Sequence, residues 1–376
     1  MTKIKCLFFL YFLFISNLFT SCEKKSSNDY KDLILGDWVF EKENPKRKNY
    51  FYSDFGYTFL ENGICISKPG YYDKKERTRK EEQKTFFLGT KTKYKINGDS
   101  LYILNLITKK WDASKIVSID SKYLKLSYEK DITLDLSKVK YSENDEENFD
   151  KVIISQSPCL GPCPINDIQI NKNGLVYYYG EDYNLKNGFF TAKISSNEFN
   201  EIVSDFKKTN FLNLEDTYKS DVTDQIEVSV TFVKDNKIIK TVKDYGSKSP
   251  KLFRITLNPI TNLYQQLKLQ PTETVQKFQN EFYYFSKGDG TIRLVRSEIF
   301  YLSNLLSEAN RTEQSFKPKY RIHINNRSSK TYQYETDGRF FLIPAKNGKL
   351  ITVDLGFNFI EKNELEKRLY TPSRVY

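Results

Sequence analysis

At 376 residues the chain has room for two or three domains, each able to bury its own core. Apolar residues at 39% and aromatics at 15% exclude a disordered chain, and 27 Tyr with 28 Phe favour strands. The net charge of +11 is carried by 47 Lys against only 12 Arg. Phosphate-reading surfaces lean on the bidentate Arg fork, so no nucleic-acid partner is expected.

Residues 1–22 read as an export signal. Lys3 and Lys5 make a basic start, Cys6 to Thr20 is a nearly unbroken apolar run, and small polar residues precede Cys22. The run is short for a spanning helix, which needs roughly 20 residues. Leu18-Phe19-Thr20-Ser21-Cys22 resembles the lipobox of bacterial lipoproteins, with Phe19 and Thr20 looser than its commonest form. The resemblance implies cleavage after residue 21, lipidation of Cys22, and a lipid-anchored protein of the bacterial cell envelope at the outer membrane. Residues 22–31 then read as a tether.

From 32 to 140 the pattern is β throughout. Tyr57 to Ile66 is an alternating hairpin turning at Asn62-Gly63, and Lys93 to Leu104 repeats the device at Asn97-Gly98-Asp99. Strands follow at Trp111–Ile119, Tyr123–Tyr128 and Ile132–Leu136, while the charge run from Asp73 to Lys84 reads as a solvated loop. The Gly36-Asp37-Trp38 opening followed by a meander of hairpins is similar to the lipocalin-like domains at the front of bacterial lipoproteins. That resemblance implies a small antiparallel barrel with Trp38 plugging one end, and in the larger family a mouth that can hold an apolar ligand. Cys65 sits in the strand alternation as a small core residue.

Residues 141–151 are acidic and turn-rich, a linker. An α+β stretch follows over 152–270. A strand at Val152-Ile153-Ile154 leads to Cys159-Leu160-Gly161-Pro162-Cys163-Pro164, then to a hairpin through Asn173-Gly174. Ser195 with Glu198 makes a capping box, ahead of the apolar helical face Phe199, Ile202, Val203 and Phe206. Glu227–Val233 and Ile238–Tyr245 form a second hairpin, and Ser249-Pro250 opens a helix that Pro259 interrupts or kinks. The order, with Cys159-x-Gly161-x-Cys163-Pro164 in front, closely resembles a family of uncharacterised bacterial envelope domains; the resemblance brings no activity. Residues 271–376 read as a further α+β domain, a candidate diverged repeat of the second. It has a strand pair turning at Gly288-Asp289, a helix starting at Ser297 with the face Ile299, Leu302, Leu305 and Leu306, and another hairpin. The fold class is therefore mainly β with α+β: a barrel, then one or two domains of β-β-α-β-β order.

Chemistry is sparse. In an extended strand the Cα atoms of Cys159 and Cys163 would lie about 13 Å apart, beyond the roughly 7 Å a disulfide tolerates. Leu160-Gly161-Pro162 supplies the residues for a curl, so a structural disulfide is the first reading. Thiol redox or copper binding is the second, because Cys-x-x-x-Cys-Pro also occurs in copper-delivery proteins of the respiratory chain; two free thiols are the third. The sole histidine, His323, sits in strand alternation and reads as a bland strand residue. No nucleophile elbow, zinc-protease or phosphate-loop motif is present, so no enzyme, metal or cofactor is expected. The expected partners are the membrane, through the N-terminal lipid, and an envelope protein or apolar small ligand.

Overall fold

The computed structural model describes residues 27–44, 54–75, 84–129, 131–141, 144, 146–272, 282–325, 331–345 and 349–371. Cys22 lies outside them. Two compact units emerge. Of the described residues, one takes 27–44, 57–66 and 92–139, and the other takes 54–56, 67–91 and those from 140 onward.

In the first unit a short helix, α1 (Ser27–Leu33), precedes strand β1 (Gly36–Asn44). The end of the expected tether is thus helical, and it has work to do. The carbonyl of Ile34, just past the helix, accepts the Trp38 indole N–H at 2.6 Å, so the buried ring keeps its one polar atom satisfied. After β1 come β2 (Gly56–Phe59) and β3 (Ile64–Ser67), joined through Asn62-Gly63, where Gly63 adopts the φ of +74° that the turn demands. The chain then leaves the barrel for a two-stranded ribbon, β4 (Tyr72–Lys75) and β5 (Lys84–Phe87). It returns as β6 (Lys91–Asn97), β7 (Ser100–Leu104), β8 (Trp111–Ile119), β9 (Tyr123–Glu129) and β10 (Ile132–Lys138). The order β1-β10-β9-β8-β7-β6-β3-β2 closes on itself, an eight-stranded antiparallel barrel with no free edge. Inside, Trp38, Phe59, Cys65, Leu101, Ile116, Leu124, Leu126 and Leu136 are each at most 2% exposed.

The charge run expected as a solvated loop is strand only at its ends, Asp73 to Lys75 and Lys84, and its middle, 76–83, lies outside the described residues. The ribbon belongs to the second unit and carries two apolar anchors beside the charged run. Tyr72 and Phe87 pair ring to ring at 5.2 Å. Gln265 accepts the Phe87 N–H at 2.8 Å, and Gln266 donates to the Phe87 carbonyl at 2.5 Å. Nearby, Asp54 receives a bidentate pair from Arg254 at 2.8 and 2.6 Å.

The rest of the second unit holds two sheets. The first is built from β11 (Lys151–Gln156), β12 (Ile165–Asn171), β13 (Leu175–Asp182), β14 (Gly188–Lys193), β15 (Thr217–Lys219), β16 (Glu227–Lys234), β17 (Lys237–Tyr245) and β18 (Gln270–Pro271). They lie in the order β15-β17-β16-β11-β12-β13-β14-β18. Helices α2 (Ser196–Lys207) and α3 (Lys251–Thr261) share one core with one face of it: Phe149, Ile154, Ile168, Val203, Phe206, Phe232, Phe253 and their neighbours. The Ser195–Glu198 capping box is formed as expected, with the Glu198 N–H donating to Ser195 Oγ and the Ser195 N–H to Glu198. Phe149 corrects the linker expectation. It is buried among four other Phe rings, and the Asp150 N–H already bonds the Val233 carbonyl.

The second sheet has β19 (Phe282–Lys287) and β20 (Gly290–Arg293), then α4 (Arg296–Glu308), then β21 (Asn310–Thr312), β22 (Tyr320–Asn325), β23 (Thr331–Thr336), β24 (Phe340–Pro344) and β25 (Leu350–Asp354), ordered β20-β19-β22-β23-β24-β25-β21. The β-β-α-β-β order sits inside both halves, each time with a three-residue strand added after the helix.

The two sheets fall within one compact unit and meet at helix α4. Helix α4 is buried on two faces. Leu302 and Leu306 enter an apolar core that takes in Ile153 and Val233 of the first sheet and Phe285, Ile322 and Phe341 of the second, while a polar stripe also meets the first sheet. Its cap is Val295, not Ser297, whose buried hydroxyl bonds Thr231 at 2.8 Å. Arg296 forks onto Asp167 at 2.9 and 2.8 Å and reaches Glu181 at 2.9 Å. Asn304 donates to Gln169 at 2.9 Å, and Tyr177 donates to Glu308. Glu298, fully buried, accepts from Thr241 at 2.8 Å and from Arg368 at 2.8 and 2.9 Å. Pairing of this kind offsets the cost of taking polar groups out of water.

Candidate functional site: the disulfide-closed loop

The strand register decides what gathers where. Gln156 pairs with Asn166, Asn166 with Gly180, Gly180 with Gly188, and Glu227 with Tyr245. The loops 157–164, 183–187 and 220–226 therefore all leave from the same end of the first sheet.

The loop 157–164 cannot continue the ladder, because Pro158, Pro162 and Pro164 lack a donor N–H. Its base is clamped instead: the Ser157 N–H bonds the Glu227 carbonyl at 2.9 Å, and the Glu227 N–H returns to Ser157 Oγ at 3.0 Å. Gly161 takes φ +125°, open only to glycine, and the Cys163 N–H folds back on the Gly161 carbonyl at 2.9 Å. The curl brings the Cys159 and Cys163 Cα atoms to 5.9 Å, with the sulfurs at disulfide-bonding distance. At the apex Leu160 is 80% exposed, and its N–H bonds the Asp224 carbonyl of the neighbouring loop at 3.3 Å. That loop carries Val222 at 60% exposure, and the third carries Tyr183 at 44%. Sequence reasoning found the cysteines but missed the three exposed apolar residues on the loops at this end of the sheet. Nothing in their local pattern separates an exposed Leu from a core one.

Other candidates fall elsewhere. Cys65 is a fully buried barrel residue. His323 lies on the second sheet, its ring stacked on Tyr284 at 4.3 Å and its Nε2 2.7 Å from Ser286 Oγ. A serine nucleophile also needs its base oriented by a third group, and none bonds the other ring nitrogen among the described residues. Burial, helped by the Arg321 charge, pushes the His323 pKa below its ordinary value. An NMR titration of this sole histidine is expected to give a midpoint below about 6.5. The folded state resists protonation, so stability present above that pH is lost as pH falls through the folded midpoint. A midpoint above the ordinary value would contradict the environment described. Among the described residues no group of three or more His, Cys, Asp or Glu side chains is arranged to hold a metal ion.

A domain of unknown function, DUF6438, matches residues 150–264, less than half of the chain. The match holds the first sheet's main strands, α2, α3 and the disulfide-closed loop, and stops before α4. An uncharacterized protein from Bacteroides eggerthii DSM 20697, known as a crystal structure, is similar at 14% identity and a TM-score of 0.20, covering 28% of this chain and 98% of its own. No curated protein matches the chain.

Proposed function

We propose that this chain is a bacterial envelope lipoprotein that acts by binding an envelope protein, without catalysis. Lipid on Cys22 holds it to the outer membrane. The loops at the Cys159–Cys163 end of the first sheet make the contact. The observation that carries this reading is Leu160, 80% exposed at the apex of a loop closed by two cysteines and clamped at its base. A preshaped apolar tip loses little conformational freedom on binding, which favours it over a floppy one. The packed interior of the barrel favours a protein partner over an apolar ligand held there.

Photo-crosslinking in cells tests the contact. A benzoylphenylalanine placed at Leu160 or Val222 is expected to trap a discrete protein, whereas one at exposed Leu350 on the second sheet does not. Equal adducts at all three positions, or none at 160 and 222, would contradict the proposal.

A further inference from the structure

We propose that Cys159–Cys163 is a thiol–disulfide exchange site, opened by a dithiol protein and thereby releasing the Leu160 loop. Both cysteines are half-buried, in partial reach of solvent, and Pro158, Leu160, Gly161, Pro162 and Pro164 around them are exposed. A side chain added at Gly161 would meet nothing within 4 Å. An attacking thiolate thus reaches the sulfurs without any strand opening. The contrast is Cys65, which is fully buried and shielded from any reagent until the barrel opens. Exposed disulfides are the labile and regulatory ones, because access of the attacking thiolate sets the exchange rate.

The chemistry balances with a dithiol as the only co-reactant. One of its thiolates attacks a sulfur of the pair, the Cys159–Cys163 bond breaks, and a mixed disulfide forms. The expelled thiolate takes up a proton. The second thiol of the reductant then attacks the mixed disulfide and leaves oxidised, having delivered two electrons to the pair.

Reduction has a local consequence. The base of the loop stays clamped through Ser157 and Glu227, so the sheet persists. Across the apex, the Leu160 bond to the Asp224 carbonyl, at 3.3 Å, and the Cys163 bond to the Gly161 carbonyl remain. Neither spans the cysteines as the disulfide does, so Leu160 is left held by the single 3.3 Å bond to Asp224 and gains freedom. That this regulates a partner rests on the docking role proposed above; the exchange itself does not.

The test uses the full chain with dithiothreitol, quenched by alkylation and mapped by mass. Reduction of the pair in native buffer is expected to run within about tenfold of its rate in denaturant, since no unfolding precedes attack. The circular dichroism spectrum is expected to stay unchanged while amide exchange rises over 158–164. A thioredoxin-fold reductase lacking its resolving cysteine is expected to form a mixed disulfide at Cys159 or Cys163. Native reduction slowed by more than about tenfold, loss of the fold on reduction, or failure of the reductase to form the adduct would overturn the proposal. Failure of exchange leaves the Leu160 crosslinks in place, and failure of the crosslinks leaves the exchange rates in place, so the two ideas fall separately.

Discussion

Replacing Arg296 with Ala is expected to destabilise the second unit by about 3–5 kcal/mol, the cost of breaking a buried pair from one side. Arg296 is the one described cation that forks onto Asp167, a carboxylate only 1% exposed on the sheet face under α4. Without it that charge has no counter-ion and no water. For a unit of this size each kcal/mol moves Tm by about 2–4 °C, so a drop on the order of 10 °C is expected in thermal melts. The pH dependence supplies a second readout. Burial pushes the Asp167 pKa up, against the pull of Arg296. In the variant the folded state therefore binds this proton more readily than the unfolded chain does. Stability then rises as pH falls, and the deficit shrinks in mild acid. Replacing both partners, Arg296→Met with Asp167→Leu, is expected to restore most of the loss, because an apolar pair needs no desolvated charge. A single-variant loss below about 1 kcal/mol would mean that the pair is solvated and that α4 is not docked as described.

Phe149→Ala is expected to cost about 3–5 kcal/mol, the usual range for emptying a buried Phe site. Its ring lies 5.2–5.9 Å from the rings of Phe199, Phe206, Phe211 and Phe232, where the first sheet meets its helices. The linker expectation predicts almost no effect, so denaturant unfolding separates the two sharply. Phe149→Leu, which keeps most of the volume, is expected to cost under about 1.5 kcal/mol.

These two residues also mark where the sequence stopped being legible. Features written in adjacent residues were readable. The hairpins at Asn62-Gly63 and Asn97 to Ser100, and the Ser195–Glu198 cap, depend on turn and cap chemistry that travels with the local sequence. Phe149 was hidden because one apolar residue after an acidic run carries no period. The β4–β5 ribbon was hidden for a similar reason, its anchors Tyr72 and Phe87 flanking a long charged stretch. Helix α4 was read correctly on one face only. Its other stripe, Ser297, Asn304 and Glu308, is polar because the sheet it meets offers Thr231, Gln169 and Tyr177. A polar-on-polar interface looks like a solvated face until the partner is in place. The candidate site was half visible. The cysteine spacing and Gly161-Pro162 pointed to a curl, while the exposure of Leu160 depends on where three distant loops end.

The proposal that this is a lipid-anchored envelope protein is tested most directly at Cys22. Bacteria expressing the full chain are grown with an alkyne fatty acid, and the purified protein is reacted with an azide dye. The account predicts strong labelling of the wild-type chain in the membrane fraction and none of Cys22→Ala. Labelling that survives the substitution, or an unlabelled wild-type chain recovered free of membrane, would contradict it.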